Sequence, residues 1–344
     1  MKFDVIIGNP PYQESDNDSG KGSAKPIYQH FVQLSKELKP DLISLITPSV
    51  WFTGGKGLSD YRREMLNDPH LESIYNFDTP KDVFPTANLR GGVNYFLWNR
   101  EFDNNDGIKV DTIHKKSLVE SGTRPVKLAE IPIFISSNHA YHILEKLLKN
   151  DAIILDDQDK RMFESIVSVR NPFAIATTFK KSADFYTDSK GLINPVKVYA
   201  SGDVIGFTER KMITKNEQWL EKIKVLTPFA NNIGTDLKDN NLKTIIAEPN
   251  SVATETYLVV GADLDLTFVQ AQNIANYMKT KFVRFLISLA KANQNGTRQT
   301  YQFVPNQNFT DKSDLDWTRD LDQQLFVKYN LDESEQEFIN GKIN

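Results

Sequence analysis

The chain has no cysteine, so disulfides and thiolate metal sites are excluded. Its histidines, His30, His70, His114, His139 and His142, offer no metal-ligand spacing beyond the His139 and His142 pair. That pair fits one side of an ordinary helix over residues 137–148 better than a zinc site, and no metal is expected. Long apolar runs are missing as well. The longest apolar-periodic segment, residues 267–291, carries Lys279, Lys281 and Arg284 in its middle, which does not suit a bilayer span. Met1 and Lys2 run straight into a charged residue and a short apolar stretch, so no signal peptide is read; a cytoplasmic protein without membrane contact is expected. A surplus of positive charge is also lacking: net charge −4 and a pI of about 5.8 are not the overall signature of a nucleic-acid binder. Glycine loops with the spacing of a phosphate or cofactor site are absent too. Residues 53–57 lack the spacing of a phosphate loop, and Gly191, Gly202, Gly206, Gly234, Gly261 and Gly296 stand singly.

What is present begins at residue 3. Val5, Ile6 and Ile7 are β-branched and uninterrupted, the pattern of a short strand buried on both faces of a parallel sheet. Asn9, Pro10, Pro11 and Tyr12 would then lie just past its carboxyl end, where open α/β sheets place ligands. Two prolines fix φ and push the residues before them toward extended geometry, so the loop is stiff and presents mostly acceptors. The Asn9 side-chain oxygen and the Pro10 carbonyl can both accept from one exocyclic amino group, and Tyr12 offers a flat face to a planar heterocycle. Four such residues alone would also fit a strand-ending turn.

The full string Phe-Asp-Val-Ile-Ile-Gly-Asn-Pro-Pro-Tyr-Gln closely resembles the catalytic motif of amino-group DNA methyltransferases. The variant with Asn first resembles the N6-adenine enzymes of the gamma class, in particular the Eco57I-like restriction-modification methylases. The resemblance implies catalytic roles for Asn9, Pro10, Pro11 and Tyr12, S-adenosylmethionine as cofactor and double-stranded DNA as partner. It further implies base flipping: the target adenine leaves the duplex, stacks on Tyr12 and donates its N6 hydrogens to Asn9 and the Pro10 carbonyl, ready for direct methyl transfer.

The next hundred residues follow in the order of that family. Residues 25–38 and 59–66 have helical periodicity; residues 42–46, 71–77 and 93–98 read as strands. Strand, helix, strand, helix, strand, strand is the end of a doubly wound sheet with a closing hairpin. Residues 14–24, polar and without a large apolar side chain, read as a loop that orders on DNA. Asp82-Val83-Phe84-Pro85 resembles the short motif from which related enzymes supply an aromatic ring to the base, which would make Phe84 a stacking partner beside Tyr12.

The expected fold class is α/β: a partial doubly wound, Rossmann-like methyltransferase sheet over residues 1–107, followed by a mixed α+β target-recognition domain with C-terminal helices over residues 108–344. In the family the cofactor elements precede the motif. Here they are expected to be missing, which leaves a piece cut at the motif, a split enzyme completed by a second polypeptide, or a remnant; a homodimer or a partner is expected to cover the exposed edge.

In the later region Lys180, Lys181, Arg210 and Lys211 are interleaved with aromatics and are candidate phosphate contacts. Residues 255–261, the helix from Thr267 and residues 294–305 resemble the family's target-recognition region. A polar loop over residues 293–299 follows the helix, and Gln294, Asn295, Arg298 and Gln299 are candidate groove readers. Outside the enzyme class, a DNA-specificity module without catalysis remains open, and a linked nuclease ranks last because Pro40-Asp41 is not followed by a suitable Glu-x-Lys.

Overall fold

The computed structural model describes residues 3–14, 25–86, 91–156, 159–234, 241–291 and 294–343. The chain forms two compact units, Met1–Glu145 and Lys146–Asn344.

The first unit opens with β1 (Val5–Gly8), then β2 (Gln13–Glu14) and β3 (Lys25–Pro26), which pair antiparallel. The expected mobile loop falls largely on residues 15–24, outside the described residues. Helix α1 (Tyr28–Glu37), β4 (Leu42–Pro48), α2 (Ser59–Leu66), β5 (Leu71–Phe77) and β6 (Val93–Asn99) follow in the expected order. The closing hairpin returns β6 between β4 and β5, antiparallel to both. Beyond residue 107 the same sheet continues. β7 (Ile108–His114) runs parallel to β5, and β8 (Ser117–Arg124) pairs with β7, giving the order β1-β4-β6-β5-β7-β8. The compact unit thus ends at Glu145 within α3 (Asn138–Lys149), not at residue 107. The fold is mixed α/β.

One core gathers Tyr28 and Val32 of α1, Tyr61 and Met65 of α2, the inward residues Ile43, Leu45, Ile74, Phe96 and Trp98 of the strands, and Trp51. Apolar residues recur at helical spacing over residues 25–38, but in α1 only Tyr28, Gln29, Val32 and Ser35 are buried; Leu34 is 55% exposed. The reading of β1 as buried on both faces is corrected in the same way. It is an edge strand with β4 as its single neighbour among the described strands, and Val5 and Ile7 are 53% and 75% exposed while Ile6 alone packs on the core. Alternation along a strand sends i and i+2 to one face, so an edge position leaves that pair bare.

The second unit holds two small sheets. β9 (Pro195–Ala200) pairs antiparallel with β10 (Val204–Glu209) and parallel with β13 (Ser251–Ala253). β11 (Lys224–Pro228) lies between β12 (Ile245–Ala247) and β14 (Tyr257–Val260). The single helix expected over residues 267–291 is two, α4 (Phe268–Lys279) and α5 (Lys281–Ala290). Thr280 makes the break. Its hydroxyl donates to the Tyr277 carbonyl at 2.8 Å and accepts from Val283 N–H at 3.2 Å, so one residue ends one helix and caps the next. The apolar stripe nevertheless survives the bend, with Ala271, Ile274, Met278, Phe282 and Phe285 all buried. Helices α6 (Leu321–Lys328) and α7 (Glu333–Lys342) follow, the latter with an Asp332/Glu335 capping box.

Candidate active site

β1, β4 and β5 point one way and β6 the other, so one end of the sheet collects Asn9 after β1, Ser49 after β4, Asp78 after β5 and Gly92 before β6. Asn9 is exposed and Pro10 is buried. Neither the Asn9 side chain nor the Pro10 carbonyl has a hydrogen-bond partner among the described residues. Two free acceptors on a rigid proline-fixed loop are what an incoming amino group needs.

Tyr12 is half-buried, and its carbonyl accepts from Ile27 N–H at 3.1 Å, which ties the loop to the start of α1. Its ring heads an aromatic series: Tyr12 meets Tyr28 edge-on with centroids 6.5 Å apart, and Tyr28 meets Tyr61 at 5.9 Å. The Tyr12 hydroxyl is buried without a partner, and burial pushes its phenol up to about 12. Phe84 is half-buried beside it. Its N–H closes on the Pro80 carbonyl at 2.8 Å, so Phe84 leaves a tight turn that follows β5.

Sequence reasoning missed the polar cluster behind this rim. Ser49 Oγ donates to Asn76 Oδ1 at 2.8 Å, and Asn94 Nδ2 reaches the Thr47 carbonyl at 3.2 Å and Ser49 Oγ at 3.3 Å. All four residues are buried. A Cβ on Gly92 would come within 2.7 Å of the Phe77 carbonyl and 3.2 Å of Asn76 Oδ1, so only glycine lets the strand end close on this cluster. The available signal was an asparagine inside each of two apolar strands, a polar residue where the pattern asks for none. Also missed were the bonds that tie the turn before Phe84 to the β7–β8 hairpin: His114 Nδ1 lies 2.9 Å from Asp78 Oδ1, and Lys116 N–H donates to Asp82 at 3.0 Å.

The first 84 residues match the Eco57I restriction-modification methylase family. The matched stretch runs from β1 through Phe84 and so contains the whole rim just described. An uncharacterized adenine-specific methylase from Mycoplasma pneumoniae is 36% identical over 104 residues, 30% of this chain and 25% of that protein. The chain thus spans about a quarter of the curated relative it matches. Among solved structures, the type IIG restriction endonuclease BpuSI is similar over 96% of this chain and 49% of its own, at 12% identity and a TM-score of 0.37. The ATP-dependent Type ISP restriction-modification enzyme LlaBIII, bound to DNA, is similar over 74% and 24%, at 10% identity and a TM-score of 0.32.

Methylases of this family use S-adenosylmethionine, and the described residues do not fit it. A cofactor turn needs glycines that open backbone N–H groups to a ligand after a strand. Gly261 follows β14, but the place of its Cβ is taken by Leu266 Cδ1 at 2.8 Å; at Gly206 it is taken by Phe185 at 2.2 Å. Neither glycine opens its backbone to a ligand.

In the second unit the candidate DNA contacts fall in two groups. Lys180 and Lys181 end a short 3-10 turn against β9, where Lys180 donates to the Ser201 carbonyl at 2.9 Å and Lys181 is exposed. Arg210 and Lys211 follow β10 and are already paired, Arg210 with Glu221 at 2.5 Å and Lys211 with Glu209. The second group follows α5. Gln294, Asn295 and Gln299 are exposed, whereas Arg298 Nε donates to the Glu164 carbonyl at 3.2 Å. Among the described residues there is no group of three or more potential metal ligands, and no helix is long and apolar enough to cross a membrane.

Proposed function

We propose that this chain provides the base-gripping part of a restriction-modification DNA adenine N6-methyltransferase. The observation that carries the reading is the pair of unengaged acceptors, Asn9 Oδ1 and the Pro10 carbonyl, beside the ring of Tyr12. An extruded adenine stacks on Tyr12, with Phe84 as a second ring, and donates one N6 hydrogen to each acceptor. Conjugation makes that nitrogen a poor nucleophile. Two acceptors set out of the ring plane draw it toward tetrahedral geometry and localise its lone pair, so no strong base is needed. The chain's own residues do the stacking and orienting.

The methyl donor is then held by residues other than those described, in a further segment of the protein or in a second polypeptide. The bare apolar edge of β1, with Val5 and Ile7 exposed, supports it. In the second unit, Lys180, Lys181, Arg210 and Lys211 would meet phosphates and Gln294, Asn295, Arg298 and Gln299 would address a groove. A DNA-specificity module without catalysis is the second reading, favoured by the filled glycine sites. Methyl transfer from S-adenosylmethionine to duplex DNA, measured with the chain and whatever co-purifies with it, separates the two: transfer that Asn9→Ala abolishes excludes the module.

The test uses duplex DNA with one adenine lacking a partner base. Such an adenine has its unpairing cost already met, so a base-flipping protein binds this duplex more tightly than the intact one. Wild type should show that preference and Asn9→Ala should lose it. Equal affinity of wild type for the two duplexes would refute the proposal.

A further inference from the structure

The hairpin joining β7 to β8 turns on two residues, Lys115 and Lys116, both in the left-handed region at φ 48° and 64°. Tight hairpins of this kind take Asn-Gly or Gly-Gly readily, whereas a non-glycine residue held there costs on the order of 1 kcal/mol. The register slips between Thr112 and Ile113, a bulge that adds twist beside the tip. Both ends of the turn that leads to Phe84 are fastened to this strained tip. Asp78 accepts from His114 at 2.9 and 3.0 Å and donates its N–H to the Ile113 carbonyl at 3.3 Å; Asp82 accepts from Lys116 N–H at 3.0 Å. Tip, turn and Phe84 are one hydrogen-bonded assembly, and Phe84 touches Tyr12.

The main-chain donor of Lys116 is committed to Asp82, while the side chains of Lys115 and Lys116 are exposed, as is Lys81 next to Asp82. None of these three ammonium groups has an ion-pair partner among the described residues, unlike Arg210 and Lys211. Asp78 and Asp82 keep their negative charge in these hydrogen bonds, but they are two carboxylates against three ammonium groups. An extruded nucleotide carries its flanking phosphates to the rim of its pocket, and unpaired cations at that rim are placed to neutralise them.

We propose that the Lys115–Lys116 tip, with Lys81, grips the DNA phosphates flanking the extruded adenine and, through Asp78 and Asp82, positions Phe84 against the base. This rests on the function proposed above. The K115N/K116N double variant removes both charges yet keeps the main-chain donor, and asparagine accepts positive φ more readily than lysine, so the hairpin is retained. Affinity for duplex DNA is measured by fluorescence anisotropy over a range of salt. Each lost phosphate contact lowers the slope of log affinity against log salt by about 1, so the double variant should be shallower by about 1 to 2. An unchanged slope overturns the phosphate contact while leaving the proposed function standing; failure of wild type to bind duplex DNA sinks both. For the positioning role, Asp82→Ala should abolish the preference for unpaired adenine and Asp82→Asn, whose amide oxygen still accepts from Lys116 N–H, should restore it. A preference that survives Asp82→Ala overturns that role.

Discussion

Tyr12 and Phe84 meet edge to face, ring centroids 6.3 Å apart at 72°. A base held flat between two parallel rings needs about 7 Å and no tilt, so adenine reaching Tyr12 must turn the Phe84 ring as it enters. Phe84→Ala removes that second face. Stacking on an aromatic side chain contributes about 1–3 kcal/mol per base, so adenosine affinity measured by NMR titration should fall about tenfold or more. Tighter binding by the variant would show that Phe84 merely blocks Tyr12.

The Tyr12 hydroxyl makes a separate prediction. It is buried without a partner, and a group in that state is better removed than kept. Tyr12→Phe should leave stability equal or raised by up to about 1 kcal/mol in urea unfolding, with adenosine binding retained. The sign with pH follows from the raised phenol. The folded state holds the proton to about 12 while the unfolded chain releases it near the ordinary value of 10.0, so this stability is full below about pH 10 and is lost as pH rises toward 12. Wild type should therefore lose more stability than Tyr12→Phe over that interval, and parallel curves would contradict the burial.

Lys224 gives the opposite sign. Its side chain is fully buried, donating to the carbonyls of Trp219 at 3.1 Å and Lys222 at 2.9 Å, and burial brings its ammonium down to about 8 against the pull of Glu248 and Glu221. Between about pH 8 and the ordinary 10.5 the unfolded chain binds the extra proton, so rising pH favours the folded state. The stability of wild type relative to Lys224→Met should increase over that range in denaturant titrations. A difference independent of pH would mean that the amine is solvated.

Much of the first unit was legible because its signals are local. Residues 42–46 and 71–77 are short apolar runs bounded by turn residues, and the string from Phe3 to Gln13 carries strand and rim together. What escaped depends on neighbours the pattern does not name. Val5 and Ile7 look the same in a central or an edge strand, and only sheet order leaves them bare. His114 and Asp78 are 36 residues apart in sequence, and nothing periodic links them. Thr280 was readable in principle, since a hydroxyl residue inside a helical pattern competes for the backbone, but an unbroken apolar stripe outweighed it.

That reading of Thr280 is itself checkable. Thr280→Ala removes the α5 cap and should destabilise the protein by about 1 kcal/mol in urea unfolding, with Thr280→Ser recovering most of it. An alanine variant as stable as wild type would show that the two helices meet for another reason.

The central claim is that Asn9 and Pro10 hold an amino group through its two hydrogens, and a pair of nucleosides tests it without knowledge of any DNA sequence. Adenosine has both hydrogens; N6,N6-dimethyladenosine has the same ring and neither. By NMR titration wild type should prefer adenosine by about tenfold or more, the worth of two hydrogen bonds, and Asn9→Ala should lose most of that preference. Equal binding of the two nucleosides by wild type would contradict the account.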